Sequence, residues 1–186
     1  GRMIYSVTDL GKPSGNGVRP DVTNEEQSFH TDNSYNISPP DHVGLLCLQP
    51  ADKGGLSRIV NMVSVMECMN EEYPRLISRL FSPYFFDRQR EHSVLDKRTI
   101  FTPILSEDAD GLRVRVSRNL IYQGYKLQDT AIDQTSESAL DAFFSIIDDP
   151  KMYTEFQFEP GQMQFLNNRL IGHKRTSFRD HPDIDM

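Results

Sequence analysis

Two histidines and one aspartate have the residue types and the spacing of a metal site. His30 and Asp32 are separated by a single residue. In an extended chain, residues two apart point to the same side, so this imidazole and this carboxylate would share one face. A third ligand must come from a distant part of the chain, and His173 is the candidate. Two histidines and one carboxylate on one face of a metal ion form the arrangement that holds non-haem Fe(II) and leaves positions open for chemistry.

Each part of this trio is weak evidence by itself. An isolated His-x-Asp is more often an exposed turn or a hydrogen-bonded strand end, and a lone histidine is more often a surface residue. The three residues together are stronger evidence for a metal site, because of where they occur. His30 and Asp32 precede an apolar run, and His173 ends an extended segment that follows a Pro-Gly turn. Three other histidines lie in polar segments and are weaker candidates: His42, His92 and His181.

The composition of the chain limits its class. It has 186 residues, 37% of them hydrophobic, and a net charge of −7, which predicts one globular domain over residues 1–186. No apolar run approaches the ~20 residues of a membrane span, and the acidic balance argues against a nucleic-acid partner. Cys47 and Cys68 do not form a Cys-x-x-Cys pair, so we expect two free thiols in a cytoplasmic protein.

Short extended segments, turn signals and two helical zones predict a mainly β fold with flanking helices. A two-sheet jelly roll, or double-stranded β-helix, fits this pattern and would bind a small ligand near its open mouth. The apolar run 43–48 predicts a strand buried on both faces. We predict helices at 62–70, 73–80 and 136–149, the last one capped by residue 135 or 136, and irregular structure at 123–134.

Three arginines alternate with apolar residues between positions 112 and 118, which predicts a half-exposed strand. The favoured interpretation of Arg113, Arg115 and Arg118 is a solvated face. The alternative is that one of them binds the substrate.

Several stretches, taken together, resemble one known family. They are Phe29-His30-Thr31-Asp32, Pro39-Pro40 with the strand to Leu48, Gly54-Gly55-Leu56-Ser57, Pro160-Gly161-Gln162-Met163-Gln164-Phe165-Leu166-Asn167-Asn168 and Gly172-His173-Lys174-Arg175-Thr176. Their order and spacing resemble the taurine dioxygenase (TauD/TfdA-type) family over nearly the whole chain. These proteins are Fe(II)- and 2-oxoglutarate-dependent oxygenases with a clavaminate synthase-like fold.

The resemblance implies roles for four residues at the centre of the site. His30, Asp32 and His173 take the places of the iron ligands. Ser57 takes the place of the hydroxyl-bearing residue that contacts 2-oxoglutarate, and we assign Arg175 to the same co-substrate. In halogenating relatives a small residue replaces the carboxylate, so the presence of Asp32 implies a hydroxylase or desaturase.

The resemblance also implies substrate contacts and one departure. Tyr35, with Ser34 beside it, takes the place of residues that line the substrate pocket. The family places an arginine a dozen or more residues after the distal histidine, where it pairs with the far carboxylate of 2-oxoglutarate. Only thirteen residues follow His173, so we expect that arginine beyond Met186 and expect the chain to lack terminal segments. Whether internal loops are missing too is left open.

The expected function is therefore hydroxylation or desaturation of a small molecule, such as an amino acid or other small acid. The reaction would use Fe(II) as its cofactor. It would consume 2-oxoglutarate and O2 and release succinate and CO2. Two alternatives stay open: a β-barrel that binds a small ligand without a metal, and a cupin-like Fe(II) dioxygenase that does not use 2-oxoglutarate. Assembly into a homo-oligomer is also left open.

Overall fold

The computed structural model describes residues 4–8, 10, 22–89 and 91–181. Short strands and a few helices alternate along this part of the chain. The strands are β1 (His42–Leu46), β2 (Lys53–Gly54), β3 (Ser57–Asn61), β4 (Pro83–Asp87), β5 (Thr99–Pro103), β6 (Leu105–Asp108), β7 (Gly111–Val114), β8 (Tyr153–Phe156), β9 (Met163–Asn167), β10 (Ile171–Arg175) and β11 (Phe178–Arg179). The helices are α1 (Met62–Glu72), α2 (Ile77–Leu80), α3 (Arg118–Leu127) and α4 (Gln134–Ile147).

Antiparallel pairing brings distant strands together. The three-stranded sheet has the order β10-β3-β8, and β1 pairs with β9, β11 with β2, β4 with β5 and β6 with β7. In the three-stranded sheet, His173 lies opposite Ile59 and Arg175 opposite Ser57. Late and early parts of the chain therefore share one sheet, and this mainly β arrangement with few helices agrees with the predicted class.

The helices cover the hydrophobic core. Helix α4 buries Leu140, Phe143 and Ile147, which contact the core that also contains Val60 and Met62. The carboxylate of Asp133 accepts a hydrogen bond from the Ser136 backbone N–H, so the N-cap of α4 lies before the predicted positions 135 and 136. Within the described residues, none of the helices has the length and apolar content needed to cross a membrane.

Two predictions about local structure are wrong. Segment 123–134 was expected to be irregular, but α3 occupies its first part, because Leu120, Ile121 and Gly124 form an apolar stripe at helical spacing that packs on β4. The interspersed polar residues hide this stripe in the sequence. Most of the run 43–48 forms a strand, β1 (His42–Leu46), but this strand is mostly exposed rather than buried on both faces, because its described sheet has one partner strand, β9.

A further difference concerns segment 73–80. Only Ile77–Leu80 forms a helix there, and turns precede it. The short helix α2 still contributes the fully buried side chain of Leu80 to the core.

Gly124 allows α3 to lie close to β4, which generates the first prediction. A Cβ atom at this position would collide with the backbone carbonyl group of Phe85, whose carbonyl carbon would be 2.6 Å away. Backbone cannot swing aside as a flexible side chain can, so overpacking should outweigh the better helix propensity of alanine. We expect Gly124→Ala to lower the free energy of unfolding by about 1–3 kcal/mol in urea denaturation.

The matched control is Gln123→Ala, since Gln123 is exposed on the same helix. It should leave the free energy of unfolding within about 0.5 kcal/mol of the unmodified protein. Equal stability of the two variants would show that α3 does not pack on β4 as closely as described.

Candidate metal centre

Reciprocal backbone hydrogen bonds join the two histidines of the predicted trio. The His30 N–H donates to the His173 carbonyl at 3.0 Å, and the His173 N–H donates to the His30 carbonyl at 2.9 Å. Such a directly opposed antiparallel pair projects both side chains to the same face. The two imidazole rings accordingly lie with their centroids 4.4 Å apart.

The carboxylate of Asp32 lies between the two rings. Its Oδ1 atom is 3.5 Å from His30 Nε2 and 3.5 Å from His173 Nε2. The three ligand atoms lie within 4.8 Å of one another, and this is the cluster of three or more potential metal ligands found among the described residues. The structure therefore brings together the three residues that the sequence predicted as one site.

Hydrogen bonding and charge favour the metal-binding forms of these side chains. His30 Nδ1 is 2.9 Å from the Ser28 carbonyl, which can only accept, so Nδ1 carries a proton, and in a neutral imidazole Nε2 is then the nitrogen that can coordinate a metal ion. Burial raises the pKa of Asp32, but the hydrogen bonds and charges of His173 and His30 outweigh it and hold this pKa well below its usual range.

The surroundings of His173 disfavour the protonated form of its imidazole. Burial and the nearby charge of His30 lower the pKa of His173, and the interaction with Asp32 offsets them only in part. An ionised carboxylate and neutral imidazoles are the forms that coordinate a metal ion. His173 Nδ1 is buried and has no hydrogen-bond partner within the described chain, so the favourable polar contacts of this ring are those at Nε2.

Asn168 fixes the backbone at Asp32. Its side-chain Oδ1 accepts from the Asp32 N–H at 2.8 Å, and its Nδ2 donates to the carbonyls of Asp32 at 3.0 Å and Pro40 at 2.9 Å. The Asn168 side chain is buried, with 2% exposure of the residue. It contacts both polar backbone groups of the residue that supplies the carboxylate, and it thereby limits how that carboxylate can turn.

Thr31 anchors the His30–Asp32 segment to the residues after β7. Its N–H donates to the Val116 carbonyl, and its hydroxyl accepts from the Val116 N–H, both at 3.0 Å. The His30–Asp32 segment thus lies between β10 and the residues that follow β7. These contacts hold His30 and Asp32 in fixed positions, where the bridge to His173 ends and a turn begins.

Ser57 and Arg175 lie on the same face of the sheet as His173. They are opposite one another in the register of β3 and β10, two residues along from the Ile59–His173 pair, a displacement of roughly 7 Å. The Ser57 hydroxyl donates to Gln164 Oε1 at 3.3 Å. The Arg175 guanidinium donates through Nη2 to the carbonyls of Thr23 and Glu25. The structure therefore places both predicted co-substrate residues near each other, and their role stays a prediction.

A cavity of about 210 Å³ opens beside His30 and Asp32. Both predicted substrate residues, Ser34 and Tyr35, line it and are themselves buried. The Tyr35 hydroxyl donates to Glu91 Oε2 at 2.6 Å, which links this turn to the segment between β4 and β5. A small molecule in the cavity would lie next to the potential metal ligands.

Arg115 holds the turn that carries these substrate residues. Its Nη1 donates to the carbonyls of Ser34 and Asn36, and its Nη2 to that of Ile37. The favoured sequence interpretation, a solvated strand face, is wrong for this arginine, because burial is large enough to lower its pKa. Its partners lie about eighty residues earlier in the chain, so alternation alone could not reveal them.

Sequence reasoning also missed Asn168 as a supporting residue. The stretch that carried the family resemblance included Asn168, but the sequence predicted only an extended segment there. The function of Asn168 in the structure depends on Asp32 and Pro40, which are remote in sequence. A polar amide inside an otherwise extended segment was the available signal.

The chain belongs to the TauD/TfdA family. The family described as "Taurine catabolism dioxygenase TauD, TfdA family" matches residues 6–185. The match covers all of the candidate site.

Curated relatives agree with this membership. The chain is 26% identical over 186 residues to FR-33289 synthase of Streptomyces rubellomurinus, covering 98% of this chain and 53% of that protein. It is 26% identical over 179 residues to uridine-5'-phosphate dioxygenase of a Streptomyces species, covering 95% of this chain and 65% of that protein. The chain thus spans between about half and two thirds of the length of these relatives.

The fold is similar to that of solved oxygenases. A structure of asparagine oxygenase in complex with Fe(II), (2S,3S)-3-hydroxyasparagine and succinate aligns with a TM-score of 0.67 at 20% identity. That alignment covers 88% of this chain and 48% of the other. At this level of identity the likeness establishes the fold.

The Asn168 contacts generate a prediction about metal affinity. Residues that support metal ligands typically change affinity 10–100-fold when removed. We expect Asn168→Ala to weaken binding of Zn(II), measured by calorimetry, by a factor of about 10–100, because the Asp32 backbone loses both of its hydrogen bonds to this side chain. Asn167→Ala is the matched control, since Asn167 is an exposed neighbour on β9, and its affinity should change less than threefold. If Asn168→Ala lowers only the melting temperature and not the affinity, Asn168 supports the fold and not the ligand.

The Arg115 contacts generate a prediction about the turn at residues 33–37. Lysine has the same charge but cannot reach three carbonyls with one planar group. In Arg115→Lys we expect amide hydrogen exchange of a peptide covering 33–37 to accelerate about tenfold, which corresponds to about 1.4 kcal/mol. Arg113→Lys, two residues away in an ion pair with Asp108, should not change this exchange. Equal protection in both variants would contradict a positioning role for Arg115.

Proposed function

We propose that the protein is an Fe(II)- and 2-oxoglutarate-dependent oxygenase that hydroxylates or desaturates a small polar molecule. The observation that carries the proposal is the convergence of His30, Asp32 and His173, with three ligand atoms within 4.8 Å. Family membership supports it, as does the asparagine oxygenase that binds Fe(II) and succinate.

The donor set fits the proposed metal. Two imidazole nitrogens and one carboxylate oxygen on one face match the ligands of non-haem Fe(II) enzymes. In a neutral His30, Nε2 is the nitrogen that can coordinate the metal, because Nδ1 donates to the Ser28 carbonyl, and the cavity is lined by both His30 and Asp32. We assign the three residues as the metal ligands, with the remaining coordination positions available to 2-oxoglutarate and O2.

The proposed reaction balances as follows. Substrate R–H, 2-oxoglutarate and O2 give R–OH, succinate and CO2, and bound Fe(II) supplies the oxidising chemistry. The protein's own residues hold the metal, orient the co-substrate and position the substrate C–H bond. Because Asp32 is present, hydroxylation or desaturation is favoured over halogenation.

Ser57 is the proposed hydroxyl contact for 2-oxoglutarate, and Arg175 the proposed cation beside it. The register of β3 and β10 supports this, since both residues share the face that carries His173. The Arg175 guanidinium also donates to two backbone carbonyls, which would pre-orient it.

We also propose that the two walls of the site are the sheets of a jelly roll, and that residues 1–186 belong to one oxygenase domain. The hydrogen bond between Ser57 on β3 and Gln164 on β9 supports the first point, because it joins the β10-β3-β8 sheet to the β1-β9 pair. The free thiols of Cys47 and Cys68 are compatible with a cytoplasmic location.

The test removes the carboxylate ligand. We expect Asp32→Ala to lower Fe(II) affinity by at least about 100-fold, since one of three ligands is lost, and to abolish succinate formation from 2-oxoglutarate. Glu67→Ala removes an exposed carboxylate on α1 and should leave both quantities unchanged. Metal content is measured by elemental analysis and succinate by mass spectrometry.

The same experiment separates the alternatives. A protein that binds no metal in either variant would be a metal-free binding module. Consumption of O2 that needs Fe(II) but proceeds without 2-oxoglutarate would indicate a cupin-like dioxygenase. Unchanged metal binding and turnover in Asp32→Ala would refute the assignment of the site.

A further inference from the structure

A buried lysine lies directly behind the His30–His173 pair. The antiparallel bridge between these two residues makes Phe29 and Lys174 the next neighbours across it, and successive residues of an extended chain point to opposite faces. Lys174 Nζ accordingly lies 4.9 Å from the centroid of the Phe29 ring, behind the two imidazoles. The Lys174 side chain is 10% exposed, and Phe29 is buried. A charge at such a buried position needs fixed partners.

Two carboxylates from different parts of the chain are those partners. Lys174 Nζ is 3.1 Å from Glu26 Oε1 and 3.5 Å from Asp148 Oδ1. Asp148 is the C-cap of α4, whereas Glu26 belongs to the segment 22–29 that leads to His30. The same amine therefore connects β10 both to the end of a helix and to the segment that enters the candidate metal centre.

A second cation, Arg58, lies near Glu26 but has a closer partner of its own. Its Nε donates to Glu155 Oε2, its guanidinium lies over the Tyr153 ring, and its Nη1 is 3.9 Å from Glu26 Oε1. Among the described residues, the nearest cation to the Glu26 carboxylate is therefore Lys174. This pairing makes the Glu26 side chain an anchor for its own segment.

The anchored segment contacts the candidate metal centre at one defined atom. The Ser28 carbonyl accepts a hydrogen bond from His30 Nδ1 at 2.9 Å and so limits the rotation of that ring. Gln27 donates its N–H to the Arg175 carbonyl at 2.9 Å, which holds the backbone beside β10. Glu26, Gln27 and Ser28 also line the cavity. A shift of this segment would therefore move the hydrogen-bond acceptor of His30 and one wall of the cavity together.

We propose that Lys174 is a positioning residue for the candidate metal centre and acts through its ion pair with Glu26. The pair keeps residues 26–28 against β10, and the Ser28 carbonyl then holds the His30 imidazole in the orientation in which Nε2 can bind a metal ion. The proposal rests on the proposed function, because it concerns the metal ligands of that site.

The test compares the two carboxylates that share the amine. Removal of groups that support metal ligands typically weakens metal binding 10–100-fold, and Glu26 acts one step further away, so Glu26→Gln should weaken Zn(II) binding in calorimetry at least about fivefold. Asp148→Asn removes the other partner of Lys174 and should change this affinity by less than about twofold, because Asp148 does not support a ligand. The visible absorption of bound Co(II), which reports the ligand arrangement and not the stability of the fold, should likewise change in Glu26→Gln alone.

A double-mutant cycle shows whether Lys174 acts through Glu26. Lys174→Met removes the charge and retains an unbranched side chain over the Phe29 ring, and it should weaken Zn(II) binding about as much as Glu26→Gln does. Combining the two substitutions should cause no further loss of affinity, because both break the same ion pair. If Lys174→Met does not fold, the comparison of Glu26→Gln with Asp148→Asn decides the question alone.

The outcomes separate this inference from the proposed function. An unmodified protein that binds neither Zn(II) nor Co(II) counts against the proposed function. With metal bound, an unchanged affinity in Glu26→Gln overturns the positioning role, as does an equal loss of affinity in Asp148→Asn. Additive losses in the double variant overturn it as well, because Lys174 would then act independently of Glu26.

Discussion

The paired backbone hydrogen bonds between His30 and His173 are the constraint on which the rest of the site depends. They connect an early segment of the chain to a late strand and fix the direction of both imidazoles at once. Once these rings face each other, Asp32, two residues after His30, needs only a short turn to bring its carboxylate between them. The site is therefore a consequence of sheet register more than of any single side-chain contact.

Support around this pair is built almost entirely from backbone contacts. Asn168 contacts the N–H and carbonyl of Asp32, Thr31 pairs with Val116, and Arg115 holds the carbonyls of the following turn. Polar side chains that satisfy buried backbone groups make an irregular segment as well ordered as a strand. Irregular backbone can then carry ligands and substrate contacts in defined positions.

Polar and charged groups are distributed unevenly around the trio. On the sheet face that carries His173, Ser57 and Arg175 lie opposite one another and offer a hydroxyl and a guanidinium. The cavity beside His30 and Asp32 is lined, among the described residues, by two carboxylates, one imidazole and mostly neutral polar groups. Arg115 and Arg118, which lie nearby, position backbone carbonyls and pair with α4 respectively.

Residue types and local spacing determined part of this account from the sequence alone. Local spacing and periodicity, which act over a few residues, were enough to predict the His30–Asp32 pair, the helix beginning at Met62 and the extended segment that leads to His173. The motif around His173 was recognised through the family resemblance. Helix α3, the exposure of β1 and the roles of Arg115 and Asn168 were decided only by the tertiary structure. Each depends on partners tens of residues or more away, since α3 lies on β4, β1 has its partner in β9, and the polar atoms of both side chains pair with remote backbone. Local sequence determines what a segment can form, and long-range packing decides which of its faces is buried and which of its polar groups find partners.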